Sequence, residues 1–343
     1  MRVTMKDVAR RAGVSVTTVS LVLNEAPGIA QSTRERVRSV IRELHYVPND
    51  QARRLFSGRT GTLAFVMPPW QAAFADPYFL ELMRGSLEAL RDRGYEMLLE
   101  ISDERFLKNT LWKRLFDSQR VDGLLVATPY LDQTYLNQVA EQGYPALLIN
   151  GDRPDLPQLD FVGYDDERCG FEAAQYLAQL GHRRIGHLSG PENQESALRR
   201  KAGYRRALQA LGLEVRDNWV QCGEYLPLEA RDALVRILEL KRKDWPTALF
   251  CANDTMALSV IHHLKEKGLM VPGDFSVVGV DDTGQAQLSN PPLTTFRQDV
   301  FEAARRAGNL FIDKLESKST AAPRVYELLP MVLVERSSCA PLG

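Results

Sequence analysis

The residues of this chain best suited to chemistry stand at the ends of apolar runs. Asn150 follows "ALLI", Asn253 and Asp254 follow "LFCA", Asp281 and Asp282 follow "SVVGV", and Gln298 follows "PPLTTFR". Where such runs are parallel strands, these positions lie beyond the carboxyl ends of a sheet, where doubly wound folds hold ligands. Amides that donate and accept, beside carboxylates that accept, suit a polar small molecule held by hydrogen bonds. Turnover has less support. The chain has no GxxxxGK phosphate loop, no GxSxG elbow and no His/Cys/Asp cluster at metal spacing. His262 and His263 are adjacent, so they diverge by about 100° on a helix and cannot chelate one ion in the i, i+4 manner. Asp281 and Asp282 end a strand as consecutive residues and point apart, which favours capping or ligand binding over paired-acid catalysis. The expectation is a binding protein, not an enzyme, with no cofactor and no metal.

A second group lies near the start, in "MKDVARRAGVSVTTVSLVLN". Thr4 with Asp7 three residues on forms a capping-box start, and Val8, Ala9 and Ala12 give a short helix with one apolar stripe. Gly13 is where the chain leaves that helix, because glycine enters the left-handed region without steric cost. Ser15 caps a second helix whose Val19, Val22 and Leu23 pack back on Val8 and Ala12. A third helix in "STRERVRSVIRELHY" has Ser32 and Glu35 as its capping box and Val37, Val40, Ile41 and Leu44 on one face. This is a helix-turn-helix, and it leaves Val16, Thr17, Thr18 and Ser20 facing outward. Small hydroxyls there let the helix approach base edges in a major groove; alternatively they cap and solvate a surface helix.

The next stretch is "YVPNDQARRLFSGRTG". A helix of about two turns between Pro48 and Ser57-Gly58 is unstable alone, so Asn49 to Phe56 should order only when held. Arg53, Arg54 and Leu55 could meet phosphates and wedge a minor groove; the segment reads equally as a plain interdomain linker. Residues 1 to 59 carry eleven Lys/Arg against five acids, a local +6 that leaves −7 for the rest of a 343-residue chain of net charge −1. A basic head on an acidic body suits a polyanionic partner for the head alone.

From Gly61 the pattern alternates apolar runs with amphipathic helices, the signature of doubly wound parallel sheets, and its length favours two similar lobes. No run reaches the roughly 18 apolar residues of a membrane span, and the N-terminus lacks a signal-peptide core, so a cytoplasmic protein is expected. Cys169, Cys222, Cys251 and Cys339 are scattered singly, which reads as core thiols. His45, His182 and His187 read as half-buried hydrogen bonders.

"GHRRIGHLSGP", "RKAGYRRAL", "ANDTMALSVI", "FSVVGVDDTGQA" and "PPLTTFRQD", following the two N-terminal segments in order, make the whole chain resemble bacterial transcription regulators of the lactose/galactose repressor (LacI/GalR) family. The resemblance implies an α/β fold: a three-helix head at 1–47, a hinge helix and linker at 48–60, and a two-lobed periplasmic-binding-protein-like body at 61–343. It places one lobe at about 61–160 and 292–322 and the other at about 161–291 and 323–343. It further implies a homodimer on a palindromic operator in double-stranded DNA, with a small effector between the lobes. By position, Val16 and Thr17 become the base-reading pair, with Thr18, Ser20 and Asn24 near the backbone, Thr4 and Ser15 also among the DNA-binding residues, and Asn49, Ala52, Arg53 and the intercalating Leu55 in the hinge. Leu21 departs from the polar residue of most relatives, and apolar contact with a thymine methyl is the substitute. In the cleft the resemblance implies Arg200 as effector clamp, with Asn253 and Asp281, the crossover Gln298, Tyr225 as stacking aromatic, Asn150 where some relatives have aspartate, and Asp76 and Tyr78 on the variable wall. A neutral sugar or glycoside fits this set first; a purine, nucleoside or phosphorylated sugar stays open. The alternative is a solute receptor without regulatory DNA binding. The chain ends without a leucine heptad tail, so a dimer is expected.

Overall fold

The computed structural model describes residues 3–23, 26–46, 59–69, 77–317 and 323–342. The chain divides into two compact units, Met1–Thr60 and Gly61–Gly343. The first is a bundle of α1 (Met5–Ala12), α2 (Val16–Leu23) and α3 (Gln31–Glu43). Its core is the stripe read from the sequence, Val8, Ala9, Ala12, Val19, Val22, Val37 and Val40, closed by Tyr46. Gly13 takes φ 65°, and Thr4 with Asp7 forms a true capping box on α1. Ser32 caps nothing. The third helix begins two residues earlier, behind Ala30, and Glu35 accepts instead from Gln31 Nε2 at 2.9 Å. Arg11 meets Glu43 at 2.6 Å and ties the end of α1 to that of α3.

In the second unit the chain runs β1 (Thr62–Met67), α4 (Pro77–Asp92), β2 (Glu96–Ile101), α5 (Glu104–Lys108), α6 (Leu111–Asp117), β3 (Gly123–Ala127), α7 (Tyr135–Glu141), β4 (Ala146–Ile149) and β5 (Asp160–Tyr164). It continues α8 (Asp166–Gln179), β6 (Ile185–Ser189), α9 (Glu195–Ala210), β7 (Val220–Cys222), α10 (Pro227–Leu238), β8 (Ala248–Cys251), α11 (Asp254–Glu266), β9 (Ser276–Asp281), α12 (Gly284–Leu288) and β10 (Thr294–Arg297). Last come α13 (Val300–Glu316), β11 (Tyr326–Leu329) and β12 (Val332–Val334). Two six-stranded sheets result, ordered β11-β5-β4-β3-β1-β2 and β12-β10-β9-β8-β6-β7. Every pairing is parallel except β10 with β12. Central strands β1, β3, β4, β5, β6 and β8 are buried throughout, as helices on both faces require.

The lobe boundaries expected from the resemblance need correction. Strand β5 belongs to the first sheet, not the second lobe, and β10, at 294–297, belongs to the second sheet; β11 returns to the first and forms its edge. The physical reason is pairing: Leu147 to Ile149 hold Asp160 to Val162, and Val278 to Asp281 hold Thr294 to Arg297. The chain therefore changes lobe near 165, 298 and 330. Two of the thiols also differ from expectation, since Cys222 and Cys339 are only partly buried. His182 and His187 are fully buried and His45 is exposed, so none of the three is half-buried. No helix among the described residues is long and apolar enough to cross a membrane.

Candidate functional site

On the head, Thr4 and Ser15 both serve as helix caps. Thr4 N and Oγ1 donate to Asp7 Oδ2 at 3.0 and 2.6 Å, and Ser15 Oγ accepts from Thr18 N at 3.0 Å. With Val19 and Val22 turned into the core, Val16, Thr17 and Leu21 stand exposed on one face of α2, and Thr18 and Ser20 are partly exposed. Val16 is 40% and Leu21 39% exposed, so their methyl groups are open to contact with a partner. The first turn of α2 carries no acidic residue, so its N-terminal partial positive charge is unopposed toward an anion. Asn24, Asn49, Ala52, Arg53 and Leu55 lie outside the described residues.

In the body a cavity of ≈ 280 Å³ lies at the carboxyl ends of both sheets, and Tyr78, Asn150, Arg200, Tyr225, Asn253, Asp281 and Gln298 all line it. Asp76 lies outside the described residues. The position of Arg200 is set by glycines. A Cβ on Gly170 of α8 would come 2.0 Å from Arg200 O, and one on Gly203 of α9 would come 1.9 Å from Glu167 O. The two helices thus cross backbone to backbone, which no larger residue permits. This crossing sets Arg200 Nε 2.7 Å from Asp166 Oδ1, while Nη1 donates to Ala252 O. Burial raises the Asp166 carboxyl and the Arg200 charge opposes that rise. Among the described residues, the cavity is lined by one cation, Arg200, and three carboxyl groups, Asp166, Glu224 and Asp281.

The remaining groups are linked in pairs. Asn253 caps α11, accepting from Met256 N at 2.9 Å, and its Nδ2 donates to Tyr225 O at 3.3 Å. The Tyr225 ring occupies space that any Cβ on Gly190 would fill, 2.2 Å away, and its hydroxyl meets Ser196 Oγ at 3.2 Å. Burial pushes this phenol up to about 12. Gln298 Nε2 donates to Asp281 Oδ1 at 2.8 Å, whereas Asp282 turns away to Arg297 and Arg336 at 3.0 and 2.6 Å. The two aspartates diverge, as their adjacency required. Asn150 Nδ2 donates to Tyr78 OH at 2.8 Å.

Backbone strain gathers here too. Thr128 (φ 39°), Asn150 (53°), Glu224 (54°), Tyr225 (59°) and Asp281 (125°) are non-glycine residues at positive φ, and each lines the cavity. Each such residue costs on the order of 1–3 kcal/mol and persists only where the surroundings enforce it, which is commonest at ligand clamps. The sequence reading missed several lining residues, among them Thr128, Tyr130, Tyr164, Asp166, Ser196 and Glu224. Tyr164 was within reach, since it ends "DFVGY" as Asn150 follows "ALLI". Asp166 was not, because its role depends on the glycine-mediated helix crossing.

Residues 4–49 match the bacterial regulatory proteins of the lacI family, and residues 174–339 match the periplasmic binding protein-like domain. The chain is 32% identical to the HTH-type transcriptional repressor PurR of Photobacterium profundum, over 97% of this chain and 98% of that protein. It is equally 32% identical to the HTH-type transcriptional regulator DegA of Bacillus subtilis, over the full length of both. The chain belongs to the lacI family of bacterial regulatory proteins. Among solved structures, the lac repressor dimer bound to operator and the anti-inducer ONPF superposes on this regulator with TM-score 0.86 at 27% identity, covering 99% of this chain and 100% of that one. The complex of the transcriptional regulator CelR with cellobiose gives 0.75 at 30% identity, over 98% and 100%. This family member is therefore a DNA-binding transcriptional regulator with a helix-turn-helix head and an effector-binding body.

Proposed function

We propose that this regulator is a cytoplasmic repressor without enzymatic activity, which binds a near-palindromic operator as a homodimer and is controlled by a sugar held between its lobes. The observation that carries the reading is the cavity that gathers Arg200, Asn253, Asp281, Gln298, Asn150 and Tyr225 at the ends of both sheets. Arginine and carboxylate bracket hydroxyl groups, amides donate and accept, and the tyrosine faces cover apolar ring surface. The CelR complex with cellobiose and the lac repressor structures, one with ONPF and one with ONPG, support a glycoside as occupant.

On the head, Val16, Thr17 and Leu21 form the base-reading face, with Thr4, Ser15, Thr18, Ser20 and Asn24 at the phosphates. Asn49, Ala52, Arg53 and Leu55 act in the hinge at 48–60. The exposed hydroxyl and methyl groups of α2 support this reading. Twofold symmetry of the dimer predicts the palindrome.

Fluorescence anisotropy on palindromic fragments from the gene's own neighbourhood, at several salt concentrations, tests the proposal. The expected result is preference over random DNA that a neutral sugar alters. Equal binding to both, or a response to purine bases alone, overturns it. Leu55→Ala should weaken operator binding while the body melts unchanged.

A further inference from the structure

Three buried side-chain atoms in the cavity have no hydrogen-bond partner among the described residues: Thr128 Oγ1, Asn150 Oδ1 and Tyr164 OH. All three residues are more than nine-tenths buried. They stand at the carboxyl ends of β3, β4 and β5, which are neighbours in the first sheet, so they form a row on one wall. Two of them, Thr128 and Asn150, sit at positive φ. A buried polar atom without a partner costs about as much as a lost hydrogen bond, so folding alone gives no reason for hydroxyls at 128 and 164, where valine and phenylalanine would fill the same space.

The opposite wall is arranged differently. Arg200 is engaged by Asp166 and Ala252 O, Asp281 accepts from Gln298, and Glu224 adds another carboxylate. A phosphate or carboxylate entering this space would meet one already paired cation and three carboxyl groups, and its desolvation would go uncompensated.

Resting on the sugar reading above, we propose that Thr128, Asn150 and Tyr164 form a hydroxyl-reading row that selects an uncharged polyol presenting hydroxyl groups to both walls, and that the cavity rejects phosphorylated and acidic sugars. The row supplies two hydroxyls, each able to donate or accept, and one amide acceptor. An uncharged ligand hydroxyl satisfies any of the three; an anionic oxygen, which only accepts, is repelled at Asn150 Oδ1.

The test uses the full-length protein and calorimetric titration with cellobiose, lactose, glucose, glucose 6-phosphate, glucuronate and adenine. At least one neutral sugar should bind, and its phosphorylated or acidic counterpart should bind at least tenfold more weakly. Thr128→Val and Tyr164→Phe should each weaken the neutral sugar by about 5- to 20-fold, while the ligand-free melting temperature stays equal or rises. A merely structural hydroxyl would lower it. Deoxy analogues of the bound sugar should include one for which the wild type and one variant bind alike.

If a neutral sugar binds and both variants match the wild type, the row is wrong and the sugar reading stands. If the anionic sugar binds as tightly as the neutral one, the charge selection is wrong. Binding of adenine alone overturns both the row and the sugar reading.

Discussion

Asp166 and Arg200 are both buried, 2.7 Å apart. A buried pair of this kind adds little net stability over an apolar pair, but removal of one partner strands the other charge. Asp166→Asn should therefore cost about 3 kcal/mol, read by urea unfolding, and a second change, Arg200→Met, should recover part of that loss; no cost in the single variant would show that the pair is not a unit. His187 makes a different prediction. Its ring is fully buried between Tyr204 and Phe250, with centroids 5.1 and 4.7 Å away, and Nδ1 donates to Phe250 O at 2.9 Å. Burial holds it near about 3, against an ordinary value of 6.5. The unfolded chain therefore takes up the proton first as pH falls. The contribution of the neutral ring is complete above 6.5 and is lost progressively toward 3, up to about 5 kcal/mol over that window. His187→Phe should flatten the acid limb of the stability profile, and an unchanged limb would mean that other groups control it.

At the scale of elements, the crossing of α8 and α9 leaves no room for added atoms. Gly170→Ala places a methyl against Arg200 O at a distance no real Cβ adopts, so the helices must separate and Arg200 must move. We expect loss of several kcal/mol by overpacking and a loss of sugar binding larger than the loss of operator binding, checked by thermal melting and titration. On the head, Gly13→Ala meets no atom within 4 Å but sits at φ 65°, so only backbone strain of about 1 kcal/mol is expected. A loss several times larger in the melting of the head would refute strain as the whole cause. The elements were legible in the sequence where period and punctuation agree: α1 and α2 with Thr4, Gly13 and Ser15, and the buried runs of β1, β3, β4, β6, β8 and β9. Strands β7, β11 and β12 were not, since each has only three or four residues and no fully buried position. Asn150, Asn253, Asp281 and Gln298 were found by one rule, polar groups at strand ends. Thr128 escaped because a lone hydroxyl after an apolar run looks like a turn, whereas the same strand-end rule reaches Tyr164, the last residue of β5.

Across the whole body, further contacts join the lobes, one of them at the cavity-lining Asn193. Arg199 Nη2 reaches Asp152 Oδ2 at 3.5 Å, and Leu131 N donates to Asn193 O at 2.7 Å. Asp152 also accepts from Tyr326 OH at 3.0 Å. The Arg199–Asp152 contact is long, and each side has another partner, Glu195 at 2.8 Å for Arg199 and Tyr326 OH for Asp152, so its loss should cost at most about 1 kcal/mol. Arg199→Ala should therefore weaken sugar binding by no more than about fivefold and leave melting of the ligand-free protein nearly unchanged; a hundredfold change would assign this arginine to the ligand. The three passages between lobes, near 165, 298 and 330, carry a different consequence. Because α13 and β11 go back to the first lobe after β6 to β10 have built most of the second sheet, and β12 then rejoins that second sheet, neither lobe is a contiguous stretch of sequence. A gene cut at any single point within the body therefore separates strands of one sheet, whereas a cut at residue 60 separates only the head.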